Sequence, residues 1–141
     1  MDTTPHTEDA EVEAFLDRYA EALAGGDLPG IAGCYTLPAL VAGDDAAMPI
    51  AEAAQVEAAF AGAADAYKAQ GLVGIRAELR GVDRLTPNLL LADVGWAYLG
   101  WAYLDEGGEA QRHSSYRYLL RRSALDGRLG IQVVVDTTPP G

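Results

Sequence analysis

Residues 18–31 read Arg-Tyr-Ala-Glu-Ala-Leu-Ala-Gly-Gly-Asp-Leu-Pro-Gly-Ile, the end of one helix, a stop and the cap of a second. Gly25-Gly26 breaks the first helix, because glycine accepts the backbone turn that ends a helix at little steric cost. Upstream, Val12, Phe15, Leu16, Tyr19 and Leu23 recur at helical spacing from Glu8 to about Ala24. Thr7 suits the N-cap, and Glu8, Asp9 and Glu11 suit the positive end of the helix dipole. Downstream, Asp27 caps a short helix through Leu28, Ile31 and Cys34. An αα-hairpin opens the chain.

Beyond that hairpin, Leu37–Val41 forms a short apolar run in which Pro38 favours an edge position or a strand start. Gly43-Asp44-Asp45 turns, and Ala47–Ile50 returns as a second short strand. Val56, Phe60, Ala63 and Tyr67 then mark one face of a third helix that stops at Gly71. From there the period changes from 3.6 to 2. Val73, Ile75, Ala77 and Leu79 alternate with Gly74, Arg76, Glu78 and Arg80, which predicts a strand with one dry face. Thr86-Pro87-Asn88 turns into a long run, Leu89–Leu104, where Gly95 and Gly100 predict a bulge or bend. A turn at residues 105–108, a strand from Gln111 to Arg122, a turn at Asp126-Gly127 and a strand from Arg128 to Asp136 complete the order ααββαββββ. That order predicts an α+β fold with helices on the concave face of a curved antiparallel sheet, and a bent sheet under a helix layer encloses a pocket.

The 141 residues are half hydrophobic and 22% charged, which predicts one domain over 7–136 between short tails at 1–6 and 137–141. No apolar run approaches the roughly 20 residues of a membrane-spanning helix, and the first residues lack a signal segment, so a soluble cytoplasmic protein is expected. A net charge of −11 argues against nucleic acid and anionic membrane as partners. A single cysteine, Cys34, allows no internal disulfide, and two histidines, His6 in a tail and His113 on a strand, make a metal site improbable. No phosphate loop or dinucleotide fingerprint is found, so no cofactor is expected. His113 and Ser114 are adjacent on a strand and point to opposite faces, which excludes a Ser-His pair.

Taken with the element order, the Arg18–Ile31 segment resembles the nuclear-transport-factor-two-like superfamily, the cone fold of ketosteroid isomerases, SnoaL-type polyketide cyclases and limonene epoxide hydrolases. The resemblance places Tyr19 on the isomerase tyrosine that donates to the substrate oxyanion. It places the isomerase's proton-shuttling carboxylate near Gly43, one residue before Asp44. Its second, protonated carboxylic donor falls on Ser114. The late-strand aspartate of the epoxide hydrolases has a counterpart in Asp136, but their Arg-x-Asp element has none.

The expected site follows. Tyr19 donates to a ligand carbonyl or is a core tyrosine bonded to a neighbour, since a buried unsatisfied hydroxyl costs about 1 to 3 kcal/mol. Asp136, or less favourably Asp44, moves a proton, although a strand end and a turn are also where solvated aspartates sit. The same resemblance turns Leu99, Trp101, Tyr103, Ser114, Tyr116, Tyr118, Gln132 and Val134 towards the pocket from the strands, and Phe15 and Phe60 are expected to line it from the helices. The ligand is a small apolar carbonyl compound, handled by a cofactor-free isomerase, cyclase or hydratase or held by a noncatalytic module. Trp96 and Tyr98 fall on the opposite parity from Trp101 unless a bulge at Gly100 resets the register, and an outer sheet face carrying Trp96 and Tyr98 motivates a homodimer packed through the sheets.

Overall fold

A computed structural model describes residues 6–100 and 112–139. Two helices open the chain, α1 (His6–Gly25) and α2 (Leu28–Ala32). The first begins at His6, with Glu8 and Asp9 in the favourable first turn. Gly26 takes φ +67° at the helix stop, and the Asp27 carboxylate accepts from the Gly30 N–H at 3.1 Å as the cap of α2. A side chain at position 30 would collide with that carboxylate, so the glycine makes room for the cap.

Strands β1 (Tyr35–Ala42) and β2 (Ala47–Ile50) form a hairpin closed by a bend at Asp44-Asp45. The expected third helix is two, α3 (Ala53–Phe60) and α4 (Ala63–Ala69), broken at Gly62, whose φ of +83° suits glycine. Four long strands follow, β3 (Leu72–Thr86), β4 (Leu89–Gly100), β5 (Arg112–Arg122) and β6 (Leu129–Asp136). The expected turn at 105–108 lies outside the described residues. The six strands form one curved, unclosed sheet in the order β2-β1-β6-β5-β4-β3, antiparallel throughout except that β1 runs parallel to β6.

The bulges lie in β3 rather than in the long run itself, one of them opposite the Leu99–Gly100 step. Val73, Arg80 and Leu85 are the extra residues of β3 against β4, whereas Gly95 pairs regularly with Glu78 and Ser115. Gly95 instead leaves space for the Arg80 guanidinium, which lies over it and donates to Ser115 Oγ at 3.0 Å. In β6 the extra residue is Gln132, between Ile131 and Val133. Register also slips in β1 around Pro38, which offers no ladder N–H, and there the Gln132 side-chain amide donates to the Pro38 carbonyl at 2.5 Å. Each bulge bends its strand, and together they curl the sheet around α1.

Val12, Phe15 and Leu16 of α1 belong to the same core as Leu90, Leu120 and Ile131, which stand opposite one another on β4, β5 and β6. All six are essentially inaccessible to water. Arg122 clamps Glu11 with two hydrogen bonds, and Arg84 approaches Glu8 at 3.4 Å, fixing α1 to the sheet at that end. Past the end of β6, Thr137 and Thr138 both bond to the Ser115 backbone.

Candidate functional site

From the closed end of the sheet outward, the inward residues change from aliphatic to aromatic. Leu90, Leu120 and Ile131 form one row, Ala92, Tyr118 and Val134 the next, then Val94 with Tyr116, then Trp96 with Ser114. Beyond Tyr19 the core is hollow. A cavity of about 220 Å³ is lined by Tyr19, Leu23, Tyr35, Val41, Met48, Ile50, Val56, Ala59, Phe60, Tyr67, Ile75, Trp96, Tyr98, Tyr116, Tyr118 and Val134. Tyr19, Ile50, Val56, Trp96, Tyr118 and Val134 are buried and make its floor. Ala59 and the half-exposed Met48 stand where it meets solvent.

Tyr19 is the hub of the floor. Its ring stacks on Phe15 and meets Tyr35, Trp96 and Tyr118 edge-on, with centroids 5.9 to 6.4 Å away. Its hydroxyl shares a 2.7 Å hydrogen bond with the Tyr35 hydroxyl. Trp96 Nε1 donates to the Tyr118 hydroxyl, also at 2.7 Å. Tyr98 and Ser114 share a hydrogen bond at 3.1 Å.

Burial raises the phenols of Tyr19 and Tyr118 well above their ordinary value, and it pushes Tyr35 and Tyr116 up to about 12. For Tyr19 the neighbouring Tyr35 and Tyr118 add to the effect, and for Tyr116 the negative charge of Asp136 does. These phenols stay protonated near neutral pH and serve as hydrogen-bond donors, not bases. No lining residue carries a charge. Among the described residues no three metal-ligating side chains converge, and no helix is long and apolar enough to cross a membrane.

The structure brings Tyr19, Phe60, Tyr116, Tyr118 and Val134 together in the cavity wall. Phe15 lies behind Tyr19, and Ser114 faces inward but holds Tyr98 rather than touching the hollow. Leu99 is not in the wall: the parity of β4 puts Trp96 and Tyr98 inside, and Leu99 lies buried over Gly74 on the other face. Gln132 faces away as well, because as the bulge residue it lets Ile131 and Val134 both point inward while its side chain bonds Arg121 and Pro38. Trp101 and Tyr103 lie outside the described residues.

Asp44 is exposed in its turn and does not reach the cavity. Asp136, also exposed, sits opposite Tyr116 at the end of β6 and accepts from the Thr138 N–H at 2.9 Å. Sequence reasoning missed Tyr35, Trp96 and Tyr98. One signal was available for the last two: Asp93 is the single charged residue between Leu89 and Leu104, and its odd parity argues that the even positions turn to the core.

Residues 8–137 match the family model described as NTF2-like protein (DUF6841). The chain belongs to this NTF2-like family. Among solved structures, it resembles a domain of unknown function with a cystatin-like fold from Nostoc punctiforme, at 20% identity, with 99% of this chain and 81% of that chain covered and a TM-score of 0.69. Aln2 from a Streptomyces species matches at 16% identity, 98% and 94% coverage and a TM-score of 0.70. A ketosteroid isomerase-like protein from Erwinia carotovora atroseptica matches at 16% identity, 92% and 96% coverage and a TM-score of 0.58. At these identities the likeness is one of fold. No curated protein matches the chain.

Proposed function

We propose that this NTF2-like protein holds a small apolar carbonyl compound in the hollow above Tyr19. The observation that carries the reading is the composition of the wall: apolar and aromatic surface, with phenol hydroxyls as convergent donors and no charged side chain. Such a wall favours a ligand that is mostly hydrocarbon and presents an acceptor oxygen. The test is a titration of hydrophobic ketones against the protein and against Val56→Trp, whose indole fills the cavity. Binding that disappears in the filled variant supports the reading. Ketones that bind neither protein, or both equally, contradict it.

A second reading, a cofactor-free isomerase or cyclase, draws support from Asp136, whose charge acts on the Tyr116 phenol at the edge of the wall. Hydrogen–deuterium exchange at the carbon next to a bound ketone, abolished by Asp136→Asn, supports catalysis, and binding without exchange supports a noncatalytic module.

We also propose a homodimer through the outer sheet face, on different residues from those the sequence suggested. Leu40, Val133, Leu119 and Leu91 stand in register across four neighbouring strands of that face, all at least partly exposed. Sedimentation showing a 14.8 kDa species alone at micromolar concentration contradicts the dimer.

A further inference from the structure

Among the described residues, Tyr19, Tyr35, Trp96 and Tyr118 bring four polar hydrogens to the hollow and use two of them in hydrogen bonds with one another. Tyr118 is 3% exposed, and its oxygen accepts from Trp96 Nε1 at 2.7 Å. No described residue takes the Tyr118 proton. Tyr19 and Tyr35 share one hydrogen bond, so of their two hydroxyl protons one is satisfied there, whichever of the pair donates. A buried donor without an acceptor costs about 1 to 3 kcal/mol, which favours an occupant that supplies an acceptor oxygen. The Trp96 bond polarises the Tyr118 hydroxyl and makes it the stronger donor, since hydrogen bonds in a chain reinforce one another.

Volume limits the occupant from the other side. A dry protein cavity of about 150 Å³ takes a benzene ring. One of about 220 Å³ therefore encloses one ring with a fused or attached portion, and the rest of a four-ring skeleton would stand out past Met48 into solvent. An anion is disfavoured, because no lining residue carries a compensating positive charge and the chain has a net charge of −11.

We infer that the hollow selects an uncharged compound of one or two rings whose acceptor oxygen is bound by the Tyr118 hydroxyl, with Trp96 as the positioning residue. This rests on the reading of the hollow as a ligand site, and it adds the size class, the charge and the residue that reads the oxygen. The parity of β4 and β5 is what builds the pair, since Trp96 and Tyr118 stand on the inward face of adjacent strands, Trp96 opposite Ser114 and Tyr118 opposite Ala92.

The experiment compares three probes by titration calorimetry: α-tetralone, a two-ring ketone; tetralin, the same skeleton without oxygen; and androstenedione, a four-ring diketone. The expected result is tetralone binding about tenfold more tightly than tetralin, the ratio falling towards one in Tyr118→Phe, and the steroid binding more weakly than tetralone. The infrared carbonyl band of bound tetralone in the unaltered protein lies at lower wavenumber than in an alkane solvent, a readout that survives if Tyr118→Phe does not fold. Trp96→Phe moves that band part-way back. Tetralin binding as tightly as tetralone, a carbonyl band at the alkane position, or steroid binding more tightly than tetralone each overturns the inference while leaving the pocket itself standing. Failure of all three probes to bind overturns the pocket reading and this inference together.

Discussion

The inward face of the sheet has two halves with different chemistry. At the closed end, Leu90, Leu120 and Ile131 meet Val12, Phe15 and Leu16 in a filled aliphatic core, and two acid–arginine contacts fasten the helix above it. Past Tyr19, the same strands present Trp96, Tyr98, Tyr116 and Tyr118 around empty space. Branched aliphatic side chains interdigitate and fill volume. Rigid rings braced edge-to-face and by hydroxyl bonds hold one another at a distance and keep a hollow open. The filled core that stabilises the fold is therefore at one end, and the ligand site proposed above is at the other.

The largest expected effect breaks that division if it is wrong. Leu120→Ala removes a fully buried side chain from the filled half and costs about 2 to 5 kcal/mol in chemical denaturation, with the affinity of the folded protein for ketones unchanged. An equal loss of affinity would mean that the two halves are one unit. Next comes Val56→Phe, which adds volume where space exists. It costs less than about 3 kcal/mol and abolishes ketone binding, as calorimetry checks. Tyr19→Phe follows: it breaks the bond to Tyr35, lowers stability by about 1 kcal/mol, and weakens ketone binding less than Tyr118→Phe does. Smallest is Arg122→Gln at the closed end, where a partly exposed pair with Glu11 contributes on the order of 1 kcal/mol that added salt reduces.

Alkaline titration sharpens the same contrast. Tyr19, Tyr35, Tyr116 and Tyr118 have phenols raised above the ordinary value of about 10. Between that value and the raised one, the unfolded chain has lost protons that the folded chain retains. Their contribution to stability is complete below about pH 10 and declines as pH rises towards about 12 and beyond. The ultraviolet phenolate band is expected to grow in two stages, these four tyrosines appearing last and together with unfolding. A single smooth rise near pH 10 would contradict the burial of the floor.

Much of this architecture was legible in the chain itself. The helix stop at Gly25-Gly26, the Asp27 cap and the change from period 3.6 to 2 after Gly71 located the elements, because each reflects a local backbone requirement. Tyr19 was legible as a buried, partnered tyrosine. Which face of β4 turns inward was harder to read. From Leu89 to Gly100 both parities are apolar, so alternation discriminates weakly and Asp93 alone breaks the tie. Gln132 was misplaced for a different reason. A bulge adds one residue to the count, and nothing in Leu129–Asp136 announces it, since its cause is the slipped pairing with β1 around Pro38, almost a hundred positions away. Tyr35 escaped notice because its role depends on meeting Tyr19 across the fold.

Crystals pressurised with xenon test the account most directly, because xenon occupies dry apolar cavities without any specific recognition. Xenon density is expected between Tyr19, Val56, Trp96 and Tyr118, with none between Leu90, Leu120 and Ile131. Side chains or ordered water filling the space above Tyr19, with no xenon there, would contradict it.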